Sequence, residues 1–368
     1  MNPYSSSSLP PGFDDACIRI FISGDRSHCG KSSIALLLLA SLLAPPFNLS
    51  SSTDVAYIKP ATQCESQQLI ELYCNKKRVK CVAVGPIVYY SGFTRAHLAS
   101  ELDPPIPSLL AKVQAEIEKL AIGRKVLIID GVGYPSVGSI TGTCNATIAS
   151  LAGGLKEETE EESVKKNEVT SPSPSFPCPV LLVSPSGVGN AIDSHNLNTT
   201  YFASKHVEVI GSIFNKLDNE GYYSLDNCKT SVTEYFKQYD SNRMPFGFVP
   251  TLEALLDTRD DDDKMEEALE VIDGEVLERF KQHVDVWEIL RRAALSSEEV
   301  RAEFSARGRD IIKSGTSFEG GVGISIKKKV GDGELLLPTP PLFPTTVKKG
   351  LTRDEIEHRA LASGSKGG

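Results

Sequence analysis

The stretch Cys17 to Ala44 reads CIRIFISGDRSHCGKSSIALLLLASLLA, and it decides the fold. Its first seven residues are mostly apolar and β-branched, which predicts a buried parallel strand. Its last part, Ser32 to Ala44, is rich in Leu and Ala and predicts a buried helix. Between them, residues 24–32 read GDRSHCGKS. The stretch therefore predicts a strand, a loop and a helix in direct succession.

The loop at 24–32 has the composition of a phosphate-binding loop. Glycines let the backbone curl so that several N–H groups point at one anion, and the helix N-terminus adds its positive dipole end. A lysine then reaches the terminal phosphates and a serine hydroxyl ligates Mg²⁺, so we assign these roles to Lys31 and Ser32. Five residues separate Gly24 from Gly30, one more than in the common pattern. An ordinary strand-to-helix turn with a solvated lysine is the alternative.

The composition limits the classes of protein that the chain can represent. Its 368 residues suffice for one large α/β domain with extensions, or for two small domains. A net charge of −9 argues against a general nucleic-acid binder. No apolar run reaches the roughly 18 residues that span a bilayer, and residues 1–16 lack the features of a signal peptide. The eight cysteines contain no CxxC pair, so we predict reduced thiols in a cytoplasmic protein that binds no membrane.

Strands alternate with helices along the chain. After the opening stretch, strands are predicted at 54–59, 81–84, 125–130, 179–185, 207–216 and 244–250. Helices are predicted at 63–73, 109–122, 145–154, 190–206, 225–238 and 266–293. This alternation predicts an α/β fold of the P-loop NTPase type, with a doubly wound, mostly parallel sheet and helices on both faces. The polar stretch 92–107 is expected to line a pocket or to act as a lid.

Changes in composition divide the chain into four parts and mark an insertion within the second. Residues 1–15 form a flexible lead-in, and residues 16–256 form the α/β domain. Within that domain, residues 155–178 are acidic and rich in Ser and Pro, so we predict a disordered insertion. Residues 264–313 are predicted to be a helical extension. Residues 314–368 are predicted to be a loosely ordered tail, with one short helix at 353–362.

Polar residues fall at the carboxyl ends of the predicted strands, where sheets of this kind bind ligands. Asp130 fits a second Mg²⁺ contact, against the alternative of a solvated carboxylate. Lys59 would stabilise charge during phosphoryl transfer, or would merely extend into solvent. Asn215 can read a nucleobase edge, although a lone Asn more often caps a turn. Glu65 is a weaker metal candidate, and His28 contacts either a ligand or solvent.

Six segments taken in order are similar to dethiobiotin synthetase and its relatives. The segments are GDRSHCGKSS, YIKPATQCES, IIDGVGYPSVGS, PVLLVSPSGVGN, GSIFNKL and FGFVP. The relatives include the nucleotide-binding domain of cobyrinic acid a,c-diamide synthase and a domain attached to some phosphotransacetylases. The phosphate loop of this family has the same long spacing, and the resemblance covers roughly residues 17–256.

The resemblance implies a ligase that uses ATP and Mg²⁺ to phosphorylate a carboxylate or carbamate, after which an amine displaces the phosphate. It implies a homodimer and an unidentified small-molecule substrate. The residues that it assigns to ATP are Gly24, His28, Cys29, Gly30, Lys31, Ser32, Ser33, Asn215, Phe248 and Pro250. The residues that it assigns to Mg²⁺ are Ser32, Asp130 and Glu65. The residues that it assigns to catalysis are Lys31, Lys59 and Ser27.

The chain also departs from the family pattern. The family motif EGAGG reads DGVGY here, from Asp130 to Tyr134, and the family's loop Glu is His28. The segment that binds the amine substrate is not recognisable between residues 85 and 106. A regulatory module that binds ATP or GTP without ligase activity is therefore the alternative function.

Overall fold

The computed structural model describes residues 17–63, 65–156, 171–256, 258, 261–297 and 302. The predicted lead-in, the tail and its short helix at 353–362 lie outside the described residues. The same holds for residues 157–170, which make up most of the predicted insertion. Within the described part of the chain, every helix falls short of the length and apolar character needed to cross a membrane.

Among the described residues, nine strands form two parallel sheets. Their bounds are β1 Ile18–Gly24, β2 Val55–Ile58, β3 Ala61–Thr62, β4 Lys80–Val82, β5 Ile87–Val88, β6 Val126–Asp130, β7 Val180–Ser184, β8 Val209–Leu217 and β9 Met244–Pro250. Seven of them make the main sheet in the order β4-β2-β6-β1-β7-β8-β9, and every neighbouring pair is parallel. The short strands β3 and β5 pair with each other. The predicted parallel α/β sheet is confirmed.

Helices cover both faces of the main sheet. Their bounds are α1 Lys31–Leu43, α2 Leu69–Lys77, α3 Phe93–Leu98, α4 Ile106–Ala121, α5 Asn145–Leu151, α6 Gly189–Ala203, α7 Leu225–Tyr239, α8 Asp262–Val271 and α9 Leu277–His283. A π-helical turn at Ile272–Val276 joins α8 to α9, and residues 286–297 are helical. Along β1, Ile20 and Ile22 enter the core on the α1 side, whereas Phe21 enters the core on the α4 side. Alternate residues of a strand point to opposite faces, so this pattern is that of a doubly wound sheet.

The predicted start of one helix was wrong. The helix predicted from residue 63 begins at Leu69, because the chain first pairs β3 with β5 and is still extended at Gln68. The stretch 92–107, which was expected to line a pocket or to act as a lid, contains α3. Phe93 is buried there and packs edge-on against Tyr89 and Tyr90, with ring centroids 5.3 and 5.5 Å apart. An aromatic anchor therefore organises this segment, and its expected role at a pocket or as a lid stays a prediction.

The strand order places the start of α1 beside the end of β6. β1 lies between β6 and β7, and Ile22 of β1 is in register with Asp130 at the end of β6. β2 flanks β6 on its other side. The loop after β1 and the carboxyl ends of β2 and β6 are thus neighbours at one edge of the sheet.

Candidate functional site

The loop between β1 and α1 depends on a glycine at its end. Gly30 has a φ of +85°, in the left-handed region that favours glycine. A Cβ at this position would lie 2.2 Å from Nδ2 of Asn215, closer than two non-bonded atoms can approach. Just before it, His28 also adopts a positive φ, of 63°. The loop therefore curls tightly before α1 begins at Lys31, and it leaves the first-turn N–H groups without helical partners.

A buried carboxylate forms the base of the site. Asp130 is fully buried, and three side chains donate hydrogen bonds to it. Lys31 Nζ lies 2.7 Å from Oδ1, while the hydroxyls of Ser32 and Tyr57 lie 2.8 and 2.9 Å from Oδ2. The Lys31 ammonium also lies 3.3 Å from the Ser32 hydroxyl. The structure thus brings together Lys31, Ser32 and Asp130 and adds Tyr57, which the sequence analysis did not identify.

The surroundings of Asp130 keep its carboxylate ionised. Burial alone would raise its pKa, but the positive charges of Lys31 and Lys59 outweigh that effect. Hydrogen bonds from Lys31 and Ser32 act in the same direction, so the pKa lies below its ordinary value. The pKa of Tyr57 lies well above its ordinary value, because of burial and then the nearby Asp130 charge. Tyr57 is therefore a neutral hydroxyl that donates to an anion.

A cleft of about 340 Å³ opens above this cluster. Eight of the predicted site residues line it: Ser27, His28, Cys29, Gly30, Lys31, Ser32, Ser33 and Lys59. Lys59 also lines the cleft, and its ammonium donates to Oε1 of Gln68 at 2.6 Å. Burial and then the Asp25 carboxylate raise the pKa of the Cys29 thiol, which favours its neutral form. Cys29 therefore fills space in the loop rather than acting as a thiolate.

Two consecutive residues at the end of β8 hold the loop from the side. Asn215 Nδ2 donates to the carbonyl of Cys29 at 3.0 Å, and Lys216 Nζ donates to the carbonyl of His28 at 3.0 Å. Asn215 is buried and is not among the residues that line the cleft. Its amide nitrogen therefore positions the loop backbone, a role the sequence analysis did not foresee.

Other predicted site residues lie away from the cleft surface. Phe248 is 4% exposed and stacks on Phe214 with centroids 5.2 Å apart, in the core beneath α6 and α7. Pro250 is buried and pairs with Leu217. Glu65 is exposed, outside the cleft, in the extended segment before α2. Neither the aromatic ring nor the Glu65 carboxylate therefore reaches the Lys31 cluster in this structure.

Three residues that the sequence analysis missed contribute to the site. In the sequence, Tyr57 is notable only as a tyrosine in an apolar strand, where a buried hydroxyl needs a hydrogen-bond partner. Gln68 precedes α2 and accepts from Lys59. Asn145 is fully buried, accepts from the N–H of Val132 at 2.9 Å and donates to its carbonyl at 2.9 Å. These two hydrogen bonds fix the glycine-rich turn after β6.

The donor set at the loop suits Mg²⁺. This ion takes oxygen ligands and is bound in phosphate sites by one or two protein groups, with phosphates and water completing its shell. The Ser32 hydroxyl and the ionised Asp130 carboxylate are such groups, 2.8 Å apart. Within the described residues, no set of three or more His, Cys, Asp or Glu side chains is arranged to hold a metal. A metal at Ser32 and Asp130 would therefore need oxygens of a bound phosphate and of water to complete its coordination shell.

Neither a protein-family model nor a curated protein sequence matches the chain. Similar solved structures include a nucleotide-binding protein from Archaeoglobus fulgidus in complex with ADP, at 13% identity over 70% of this chain and 88% of that chain, with a TM-score of 0.35. A putative plasmid partition protein from Borrelia burgdorferi bound to AMPPNP has 14% identity over 70% and 98% of the two chains, with a TM-score of 0.37.

A third similar structure is the signal recognition particle receptor FtsY from Elizabethkingia anophelis in complex with GDP. It has 13% identity over 69% of this chain and 63% of that chain, with a TM-score of 0.34. Similarities this loose indicate nothing about what this chain binds. The resemblance to the dethiobiotin synthetase family stays a prediction.

Proposed function

We propose that this chain binds a Mg²⁺–nucleoside triphosphate in the cleft above residues 24–32 and transfers its terminal phosphoryl group to a carboxylate or carbamate. The observation that carries the proposal is the convergence of Lys31 and Ser32 on Asp130, at 2.7 and 2.8 Å, at the N-terminus of α1. A cation, a hydroxyl and an ionised carboxylate are the groups that such a ligand requires.

Each group has a distinct task in the proposed site. The free N–H groups at the start of α1 and the positive end of its dipole bind phosphate oxygens. The Lys31 ammonium neutralises charge on the terminal phosphates, and Ser32 and Asp130 hold the Mg²⁺ ion. The bound ion supplies further charge neutralisation and orients the phosphates. Lys59, which also lines the cleft, stabilises the charge that develops on the transferred group.

The second candidate function is a regulatory module that binds the nucleotide without ligase chemistry. The position of Glu65 favours it, because this predicted metal ligand is exposed and outside the cleft. Release of phosphate that accelerates only when a dicarboxylate and an amine are both present would support the ligase. A rate of phosphate release that does not change when the dicarboxylate and the amine are added would favour the regulatory module.

Thermal unfolding of the full chain tests the proposed binding. A nucleoside triphosphate with Mg²⁺ should raise the unfolding temperature, since a ligand at a hundred times its dissociation constant stabilises by about 2.7 kcal/mol. Removal of Mg²⁺ with a chelator should reduce the shift. If no nucleoside triphosphate at millimolar concentration changes the unfolding temperature, the proposal is wrong.

Substitutions in the loop test whether the nucleotide binds there. Lys31→Ala should abolish the nucleotide-induced shift, and Ser32→Ala should remove mainly the part that depends on Mg²⁺. Lys205→Ala is the matched control, because Lys205 is an exposed lysine outside the cleft. Far-UV circular dichroism of each variant separates loss of binding from loss of folding. A full shift retained by Lys31→Ala would place the nucleotide elsewhere.

A further inference from the structure

The side-chain amide of Gln68 has one atom that is hydrogen-bonded and one that is not. Gln68 is half-buried, lines the cleft and immediately precedes α2. Its Oε1 accepts from the Lys59 ammonium at 2.6 Å. An ammonium group can donate but cannot accept, so this contact identifies the oxygen of the amide and makes the other atom the NH₂ donor. Gln68 therefore holds Lys59 with one atom and keeps a donor beside it.

This donor has no acceptor within the described part of the chain. The Nε2 atom of Gln68 is buried and makes no hydrogen bond there. A buried amide donor without an acceptor is unfavourable, and such a group in a folded protein needs an explanation such as a bound water, an ion or a catalytic role. Gln68 is the N-cap residue of α2, yet its side chain does not cap that helix. Helix capping therefore does not explain why a glutamine occupies this position.

The charge of the cleft favours an anion as the missing acceptor. Of the described residues that line the cleft, none is an aspartate or a glutamate, whereas four are lysines or arginines: Arg26, Lys31, Lys59 and Lys216. Burial raises the pKa of Asp130, but the charges of Lys31 and then Lys59 lower it. The Lys59 ammonium is thus close enough to act on the cluster at Lys31. The Gln68 amide that holds Lys59 therefore lies near the position proposed for the terminal phosphates.

We propose that Gln68 is a further catalytic residue, whose Nε2 donates a hydrogen bond to an oxygen of the phosphoryl group during its transfer, beside the Lys59 ammonium. In that step an oxygen of the acceptor carboxylate or carbamate forms a bond to phosphorus. The bond from phosphorus to the bridging oxygen breaks, and its electron pair stays on the nucleoside diphosphate. Gln68 neither gains nor loses a proton, since its donor only stabilises charge on the phosphoryl oxygens. This proposal rests on the proposed function, because it concerns the group transferred in the same site.

Thermal unfolding of the full chain with an analogue of the transferred group tests the proposal. The chain is bound to Mg²⁺ and ADP or, in parallel, GDP, and aluminium fluoride is added as a planar mimic of the phosphoryl group in transfer. Aluminium fluoride should raise the unfolding temperature beyond the value reached with the diphosphate alone. If the diphosphate raises it and aluminium fluoride adds nothing, the Gln68 proposal is wrong and the proposed nucleotide binding stands. If no nucleoside diphosphate or triphosphate changes it, the proposed function fails, and the Gln68 proposal with it.

Two substitutions distinguish a contact to the phosphoryl group from a purely structural role. Gln68→Glu keeps an oxygen that accepts from Lys59 but replaces the Nε2 donor by a second oxygen, whereas Gln68→Leu removes both atoms. Titration of the unfolding temperature with aluminium fluoride, at fixed Mg²⁺ and diphosphate, gives the affinity. Both variants should lose about tenfold or more, as expected for a hydrogen bond to a charged group. If Gln68 only holds Lys59, Gln68→Glu should keep the affinity of the natural chain, and that result would overturn the proposal.

Gln67→Glu is the matched control. Gln67 is exposed and is not among the residues that line the cleft, so this variant introduces the same charge one position away and should keep the affinity for aluminium fluoride. A loss as large as that of Gln68→Glu would show a general effect of charge and would contradict the role of Gln68. Far-UV circular dichroism and the unfolding temperature without nucleotide check that each variant folds.

Discussion

At the scale of single residues, Asp130 is the centre of the site. An isolated buried carboxylate is costly, so it persists only with donors and countercharges around it. Lys31, Ser32 and Tyr57 supply these from α1 and β2. The hydrogen bonds that stabilise the buried carboxylate also fix the rotamers of Lys31 and Ser32. The proposed phosphate and Mg²⁺ groups are therefore already oriented before any ligand binds.

Gly30 should tolerate no side chain. Gly30→Ala places a Cβ 2.2 Å from Asn215 Nδ2, at a φ of +85°, and the strain should cost about 1–3 kcal/mol of unfolding free energy. Nucleotide binding should weaken by about tenfold or more, because the loop must shift. Denaturant unfolding and nucleotide titration measure the two effects.

Gly189→Ala is the control for this change. Gly189 opens α6, and a Cβ there meets nothing within 4 Å, so stability should be unchanged or slightly higher. A Gly30→Ala variant that binds nucleotide as well as the natural chain would show that the loop adjusts freely.

At the scale of secondary-structure elements, one ion pair joins the sheet to the helices of its second face. Arg19 of β1 is 8% exposed, and its guanidinium meets both carboxylate oxygens of Glu118 in α4, at 2.5 and 2.7 Å. It also donates to the carbonyl of Ala152, just after α5, at 3.0 Å. The pair therefore fixes how α4 and α5 lie against β1, the strand that leads into the loop.

Removal of one partner of this pair should be costly. Glu118→Ala leaves the Arg19 guanidinium largely buried without its countercharge and should lower the unfolding free energy by about 3 kcal/mol. Glu116→Ala, on the same helix, breaks only an exposed pair with Lys119 and should cost about 0.5 kcal/mol or less. Urea unfolding of both variants makes the comparison. Equal losses in the two variants would contradict the structural role of Arg19.

At the scale of the whole molecule, the helices after β9 belong to the same core as α1. Met265, Ile272, Phe280 and Ile289 are buried in the cluster that holds the α1 side chains. Helix α9 packs directly against α1. The described residues of the predicted helical extension therefore complete one face of the sheet, and they should unfold together with it.

A core substitution in α9 tests this cooperativity. Phe280 is fully buried, so Phe280→Ala should lower the unfolding free energy by about 3–5 kcal/mol within a single transition. Val271→Ala, at a position 42% exposed on α8, should change it by about 0.5 kcal/mol or less. Calorimetry with circular dichroism distinguishes one transition from two. A separate early transition for residues 262–297 would show that they form an independent unit.

The sequence by itself determined the features that depend on neighbouring residues. Apolar strands, amphipathic helices and the glycine-bounded loop at 24–30 are local patterns, since backbone sterics and side-chain periodicity act within a few residues. Their alternation was enough to predict the parallel sheet. The rule that ligands bind at strand ends was enough to select Lys31, Ser32, Lys59 and Asp130 as candidates.

Only the tertiary structure decided which candidates meet. Strand order depends on long-range packing, and it placed β6 between β1 and β2, so that Tyr57 joined the Asp130 cluster. Packing likewise buried Phe248 against Phe214 and left Glu65 exposed outside the cleft. Lys216, whose backbone is left-handed, contacts a loop 188 positions away, and no local pattern encodes that contact. Local propensity is a weak preference that such contacts override.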